Sequence, residues 1–175
     1  MKKTAALILL AAAALMGCLP AERTDKQPLS ATEVYKGQQC GPLPIGTQPS
    51  NAPQALWITD PAGLKALGEN MAGGSINGGL PAPLSDFDFS AHGLLVVYMG
   101  QKPTSGYSLT IVPEKACISD QAAMVTLKWQ TPAPDAITAQ VVTHPCIFIK
   151  VPKGDFSKIR ILDRQGRVKA VAGER

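Results

Sequence analysis

The sequence has few of the side chains that enzymes use for proton transfer and metal binding. It contains two histidines, His92 and His144, and its four cysteines form no Cys-x-x-Cys pair. There is no His-x-x-x-His spacing and no glycine-rich phosphate-binding motif, so we expect no metal and no cofactor. Two nearby carboxylates, Asp86 and Asp88, alternate with phenylalanines and are predicted to face solvent. We therefore predict that the protein is not an enzyme.

The usual arrangements around a nucleophile are missing as well. Ser105 lacks the glycine on its N-terminal side that a nucleophile elbow needs, and its segment joins two predicted strands. His144 and Cys146 are two residues apart, but Pro145 distorts the backbone between them. A disulfide explains the cysteine better than a catalytic dyad does.

The N-terminus has the features of an export signal. Met1, Lys2 and Lys3 precede an apolar run over residues 4–16, which is too short to span a bilayer as a mature helix. The run ends in Leu-Met-Gly-Cys, which resembles the lipobox of bacterial lipoproteins. We predict a signal peptide over residues 1–17 and acyl chains on Cys18; an ordinary secreted protein is the alternative. Two or three acyl chains hold a protein stably on a membrane. The expected location is the cell envelope. By analogy with bacterial lipoproteins we expect the outer membrane, because no Asp retention signal follows Cys18.

Neither sign of charge is in large excess. Loss of Lys2 and Lys3 with the leader would leave 15 basic and 13 acidic residues, which is not typical of nucleic-acid binding. Residues 18–53 are polar and then rich in glycine, proline and glutamine, and they are predicted to form a flexible tether. The remainder, residues 54–175, is long enough for a single domain with its own core.

Hydrophobic patterns predict a mainly β domain. Residues 94–99 are continuously apolar, which is typical of a strand buried on both faces, and residues 107–112 alternate. The turn between them is predicted to be a hairpin-like loop. Asp60 followed by proline predicts the start of a helix over about 60–71. The predicted fold is an antiparallel, sandwich-like single domain of about seven strands with this one short helix.

Four further strands are predicted after residues 107–112. Residues 124–129 form one, and a hairpin through residues 131–138 leads into a strand over about 138–151, which is broken at His144-Pro145. A final hairpin turns at residues 163–166, with Val168 and Ala170 facing inward after the turn.

The cysteine count leaves the disulfide pairing open. With Cys18 acylated, three cysteines remain, so one disulfide and one free thiol are expected. Cys117–Cys146 is favoured because the hairpin through residues 131–138 would bring Cys146 opposite about position 123. Cys40–Cys146 is the competing pair.

One motif carries a family resemblance. Gly100-x-Lys102-Pro103-Thr104-x-Gly106-Tyr107 follows an apolar strand, and Thr143-His144-Pro145 ends a later one. Over about residues 84–152 this pattern resembles the C-terminal domain of the PrcB family, named for a lipoprotein subunit of a bacterial surface protease complex. The resemblance implies an accessory subunit that binds and stabilises a protein partner, which we expect to be a protease. The residues assigned to partner contact are Lys102, Pro103, Thr104, Ser105, Gly106, Tyr107, His144 and Pro145.

A shorter part of the same motif resembles a second protein family. Pro103-Thr104-x-Gly106-Tyr107 resembles the Asn-Pro-Thr-Thr-Gly-Tyr loop of chagasin-type cysteine-protease inhibitors, with Lys102 in place of the asparagine. That family inserts the loop into a protease cleft from an immunoglobulin-like sandwich. Its late Arg-Pro-Trp motif corresponds here only to His144-Pro145-Cys146. Direct inhibition of a cysteine protease is therefore the alternative function.

Overall fold

The structure is a computed structural model and describes residues 26–40, 51–74 and 79–173. The predicted signal peptide, residues 1–17, and Cys18 lie outside the described residues. Within them, the strands are β1 (Gln27–Pro28), β2 (Thr32–Gly37), β3 (Gln54–Ile58), β4 (His92–Tyr98), β5 (Ser108–Ile111), β6 (Cys117–Ser119), β7 (Ala122–Gln130), β8 (Cys146–Pro152), β9 (Lys158–Leu162) and β10 (Val168–Gly173). The helices are α1 (Pro61–Gly74) and the short 3-10 helices η1 (Ala82–Leu84) and η2 (Pro113–Lys115). None of the described helices is long and apolar enough to cross a membrane.

The strands form two sheets, which confirms the predicted sandwich-like β fold with one short α-helix. Sheet I has the order β1-β6-β7-β9-β10, with β5 also paired to β7, and sheet II has the order β2-β8-β4-β3. All pairs are antiparallel except β7 and β9, which are parallel. The structure thus has more strands than the seven predicted, because several are only two to four residues long.

The main core lies between the two sheets. Sheet II contributes Leu95, Val97 and Ile149 to it, and sheet I contributes Val125 and Ile161; all five side chains are fully buried. These residues alternate along their strands with residues that face the other way, as the period-two pattern of the sequence predicts. Burial of this apolar area is the main stabilising contribution to the fold.

A third layer covers the outer face of sheet II. Leu94, Val96 and Phe148 pack there against Leu64 and Leu67 of α1. This explains why the apolar run 94–99 has no polar break, since both faces of β4 are covered. The predicted helix start is confirmed, because the backbone N–H of Gly63 donates to Asp60 Oδ1 at 2.8 Å.

The predicted acidic pair has the surroundings that the alternating pattern indicated. Asp86 and Asp88 are both exposed, whereas Phe89 is buried and its ring lies 4.7 Å from that of Phe87. Hydrogen bonds from the side chain and the backbone of Ser90 lower the pKa of Asp88. These carboxylates therefore accept local hydrogen bonds in the turns before β4.

Part of the predicted tether is an integral part of the fold. β2 pairs with β8 over five residue pairs, with Tyr35 opposite Phe148, and the two rings contact edge to face at 5.5 Å. β1 pairs with β6 at the other sheet. The tether prediction for residues 18–53 is therefore wrong for these strands, because their polar composition reflects an exposed edge position.

The connection between β4 and β5 is not a hairpin. β4 pairs with β3 and β8 in sheet II, whereas β5 pairs with β7 in sheet I. The chain therefore crosses from one sheet to the other between these strands. Likewise, residues 131–142 contain no strand, and β8 begins only at Cys146. The predicted hairpin through residues 131–138 is wrong, since β7 and β8 belong to different sheets.

The wrong hairpin prediction also accounts for the wrong disulfide prediction. The structure joins Cys40 to Cys146, with Cα atoms 6.1 Å apart, and leaves Cys117 as a free thiol. The favoured pair Cys117–Cys146 is therefore wrong, and the competing pair is the one formed. Cys117 lies on β6 in sheet I, whereas Cys146 begins β8 in sheet II beside the end of β2.

The final hairpin is confirmed with one change of orientation. β9 and β10 pair around the turn at Asp163, whose carboxylate accepts backbone and side-chain hydrogen bonds from Arg167. A register shift lies between Val168 and Ala170. Val168 is 53% exposed and not inward as predicted, whereas Ala172 is buried.

Candidate partner-binding loop

Residues 100–107, here called the signature loop, connect the two sheets. Just before the loop, the backbone N–H of Met99 donates to the carbonyl of Pro145 at 2.8 Å. Gly100 then has φ +84°, and a Cβ at this position would lie directly against the carbonyl oxygen of Asn51. Only glycine combines that backbone angle with so close an approach. The loop therefore leaves sheet II in one defined direction.

Backbone and side-chain hydrogen bonds hold the middle of the signature loop against residues 139–143. Lys102 and Thr143 exchange two backbone hydrogen bonds of 2.9 Å each. The backbone N–H of Ser105 donates to the carbonyl of Ala139 at 3.1 Å, and the N–H of Ala139 donates to Ser105 Oγ at 3.0 Å. The Thr143 hydroxyl donates to the carbonyl of Thr104 at 3.0 Å. The serine hydroxyl thus has a structural partner and no nearby base is bonded to it.

The tip of the loop is accessible. Pro103 and Gly106 are exposed, while Lys102 and Tyr107 are half-buried. Tyr107 packs against the core between the sheets, its carbonyl accepts a 2.9 Å hydrogen bond from Gln38 Nε2, and Lys102 Nζ lies 5.8 Å from its ring centroid. The ends of the signature loop are therefore held against the rest of the protein, whereas its tip is open to solvent.

His144 and Pro145 support the loop more than they add to its surface. The ring of His144 stacks on that of Tyr98, with centroids 6.1 Å apart and planes 14° from parallel. Burial lowers the pKa of His144. Pro145 is buried, and Cys146 is bonded to Cys40, so no His144/Cys146 thiol dyad exists.

The sequence interpretation missed the neighbouring segment. Residues 131–142 run beside the signature loop and present apolar side chains to solvent; Ile137 is fully exposed, and Val141 and Val142 are almost half exposed. These residues follow a proline-rich turn, and Val141 and Val142 fall within the strand predicted over about 138–151. An open depression of about 410 Å³ is lined by residues of both segments. Its lining residues are Asn51, Gln101, Lys102, Pro103, Tyr107 and Val142.

Cationic side chains border this apolar surface. Burial, and secondly the charge of Lys169, lower the pKa of Lys102. Lys169 Nζ lies 5.6 Å from the ring centroid of Trp129. Within residues 26–40, 51–74 and 79–173, neither lysine forms a salt bridge with a carboxylate. This charge is therefore available to an acidic partner.

The same ranges contain no group of three or more His, Cys, Asp or Glu side chains placed to hold a metal ion. The candidate site thus consists of a loop held by hydrogen bonds, exposed apolar side chains and lysines. These groups are suited to contact with another macromolecule.

A comparison with protein families gives a match where the motif predicted it. The family model described as PrcB C-terminal matches residues 94–152, which run from β4 through the signature loop to the end of β8. This is about a third of the chain. No curated protein matches the chain, and no solved structure does. The chagasin likeness stays a prediction. Residues 94–152 of this chain are therefore similar to the PrcB C-terminal domain.

Proposed function

We propose that this chain is a non-catalytic subunit that binds and stabilises a partner protein, a protease, at the bacterial cell envelope. The binding surface is the contact face, which we define as the signature loop together with residues 131–142. The family match supports association with a protease complex, since it covers the signature loop and its anchor at Pro145.

One observation carries the proposal: the contact face is ordered before any partner is present. Hydrogen bonds hold the loop just before its start, in its middle and at its end, at Met99, Lys102 and Tyr107, although Pro103 and Ile137 face solvent. Fixing the backbone of one residue costs about 1–2 kcal/mol, and a loop that is already held by hydrogen bonds does not incur that cost on binding. Exposed apolar side chains on such a loop gain by transfer from water into an interface.

The charge around the contact face indicates the chemistry of the partner. Lys102 and Lys169 lie at its border without a carboxylate partner among the described residues. A partner surface with an apolar centre and an acidic border would complement both features. Opposite charges at the border accelerate association more than they increase affinity.

Lipidation at Cys18 completes the proposal, because acyl chains there would keep the contact face close to the membrane and raise its local concentration near an envelope partner. The cysteine lies outside the described residues, and the support for this part is the lipobox-like sequence alone.

Site-specific photocrosslinking tests the proposal. A photoreactive amino acid at Pro103 should crosslink a protease in the native membrane, and mass spectrometry of the product should identify it. The same amino acid at Asp155 is the matched control, because Asp155 is exposed in the β8–β9 connection, beyond the end of β8 that lies away from Pro145. Equal crosslinking at both positions, or none at position 103, would refute the contact face.

A separate assay distinguishes an accessory subunit from an inhibitor. The purified chain should leave the turnover of a papain-like cysteine protease unchanged at all concentrations. An inhibitor of the chagasin type would instead titrate that activity to zero, and Gly106→Ala would weaken it. Stoichiometric inhibition would replace the proposed function by its alternative.

A further inference from the structure

A second depression, of about 420 Å³, lies on sheet I and shares no lining residue with the one at the signature loop. Its floor is formed by Cys117 of β6, Met124 and Thr126 of β7 and Leu162 of β9. In the sheet, Cys117 lies opposite Met124, and Thr126 lies opposite Leu162. Because strand side chains alternate, these residues face away from the core that their neighbours fill.

The walls come from two other segments. Glu114 and Lys115 of η2 form one, and Lys26 and Pro28 form the other. Backbone pairing fixes both walls to the floor: the N–H of Val112 donates to the carbonyl of Thr126 at 2.9 Å, and β1 pairs with β6, with Pro28 opposite Cys117. The shape of the depression is therefore held by the backbone of the fold. Its volume lies within the range of small-molecule sites, about 300–1,000 Å³.

Two independent features inside it point to a ligand. Cys117 is a half-buried free thiol. Thr126 is only 5% exposed, lines the depression, and its hydroxyl has no hydrogen-bond partner in the described part of the chain. Among the described residues, Tyr98 Oη is the buried side-chain polar atom without a partner, so the Thr126 hydroxyl keeps its access to solvent, through the depression. A polar atom of a bound molecule would give this hydroxyl the partner that the protein does not supply.

We propose that this depression binds a small anionic disulfide and that Cys117 forms a mixed disulfide with it. Lys26 and Lys115 complement carboxylates, and Glu114 complements an ammonium group. In the reaction, the Cys117 thiolate attacks one sulfur of the disulfide. A new S–S bond forms, the old one breaks, and the other half leaves as a thiolate, which takes up a proton like the one that Cys117 released. The number of disulfides is conserved, so no further oxidant is needed.

The test compares three symmetrical disulfides on the full chain. Oxidised glutathione carries carboxylates and amines, hydroxyethyl disulfide is neutral, and cystamine is cationic. Intact-mass and peptide-mapping mass spectrometry follow the rate of modification at Cys117 and separate it from Cys18. Each rate is divided by the rate of the same disulfide with a small reference thiol, which removes differences in intrinsic reactivity.

Oxidised glutathione should react at Cys117 about fivefold faster than either other disulfide, and added salt should reduce the advantage. Lys115→Gln should abolish most of the preference, as should Thr126→Val if that variant remains folded. Lys153→Gln changes an exposed lysine outside the depression and should leave it intact. Equal normalised rates for the three disulfides, or a Cys117–Cys117 dimer as the main product, would overturn the proposal.

Discussion

Gly100 and Gly166 have nearly the same backbone angle, with φ of +84° and +81°, but very different surroundings. A Cβ on Gly166 would meet nothing within 4 Å, whereas one on Gly100 would meet the carbonyl of Asn51. The pair therefore separates the cost of the left-handed backbone from the cost of the close contact. At the residue scale, this contact is what directs the signature loop away from β4.

Gly100→Ala should lower the free energy of unfolding by about 2–4 kcal/mol, because both costs apply. Gly166→Ala should lower it by only about 1 kcal/mol, the cost of the backbone angle alone. Urea unfolding of both variants measures the difference. Equal losses would mean that the chain near Asn51 moves away without penalty.

His144 gives the loop anchor a dependence on pH. Its pKa lies below the ordinary value of 6.5 because the ring is withdrawn from water. A histidine with a lowered pKa in the folded state stabilises the fold fully above pH 6.5, and its contribution is lost as the pH falls through the lowered value. Protonation of His144 in mild acid is therefore expected to destabilise the fold at the anchor of the signature loop, because the charged ring would be held away from water.

The free energy of unfolding should fall as the pH drops below about 6.5 and through the lowered pKa of His144, and His144→Gln should make that fall smaller. His92→Gln, which replaces the other histidine of the chain, should keep the wild-type fall. Urea unfolding at several pH values checks this. An identical pH dependence of wild type and His144→Gln would contradict the assignment.

At the scale of elements, β8 connects the packing of sheet II with the signature loop. It is paired on both sides, with β2 and β4, and the segment before it carries the hydrogen-bond partners of Met99 and Lys102. The disulfide joins the start of β8 to Cys40, just beyond the end of β2. Loss of that link should therefore affect both stability and the loop.

Replacing both Cys40 and Cys146 by serine should lower the free energy of unfolding by about 2–5 kcal/mol, since the disulfide closes a long loop. Hydrogen exchange at the amides of Lys102 and Thr143 should also become faster. Cys117→Ser is the control and should change stability by about 1 kcal/mol or less. A similar loss in the control would show that the effect is not due to the disulfide.

At the scale of the whole molecule, large apolar side chains among the described residues are exposed in two places. Ile137 and Val142 lie on the contact face, and Val171 lies on β10. All three are outside the core, so each can be changed with little effect on folding. They differ in what the proposed function assigns to them.

Ile137→Asp and Val142→Asp should each change the free energy of unfolding by no more than about 0.5 kcal/mol and should reduce recovery of the protease partner at least about tenfold. The loss has two causes, removal of apolar contact area and burial of a charge. Affinity capture with quantitative mass spectrometry measures it. Val171→Asp should leave recovery unchanged; equal losses in all three variants would contradict the contact face.

Much of the fold followed from local patterns. The uninterrupted apolar run of β4 correctly indicated burial on both faces, Asp60 correctly indicated the helix start, and the strand predicted over residues 124–129 lies within β7. The candidate loop was found because its glycine, proline and tyrosine form a motif with a recognisable spacing. Such signals lie within a few residues of one another, so sequence order alone brings them together.

Pairing between distant segments was settled by the tertiary fold. Alternation shows which face of a strand is buried, but not which strand lies beside it, and a crossover between sheets has the same local pattern as a hairpin. The choice of Cys40 over Cys117, the place of β2 in sheet II and the exposure of Ile137 all depend on that pairing. They follow from the joint packing of two sheets and a helix around shared cores, which no local segment specifies.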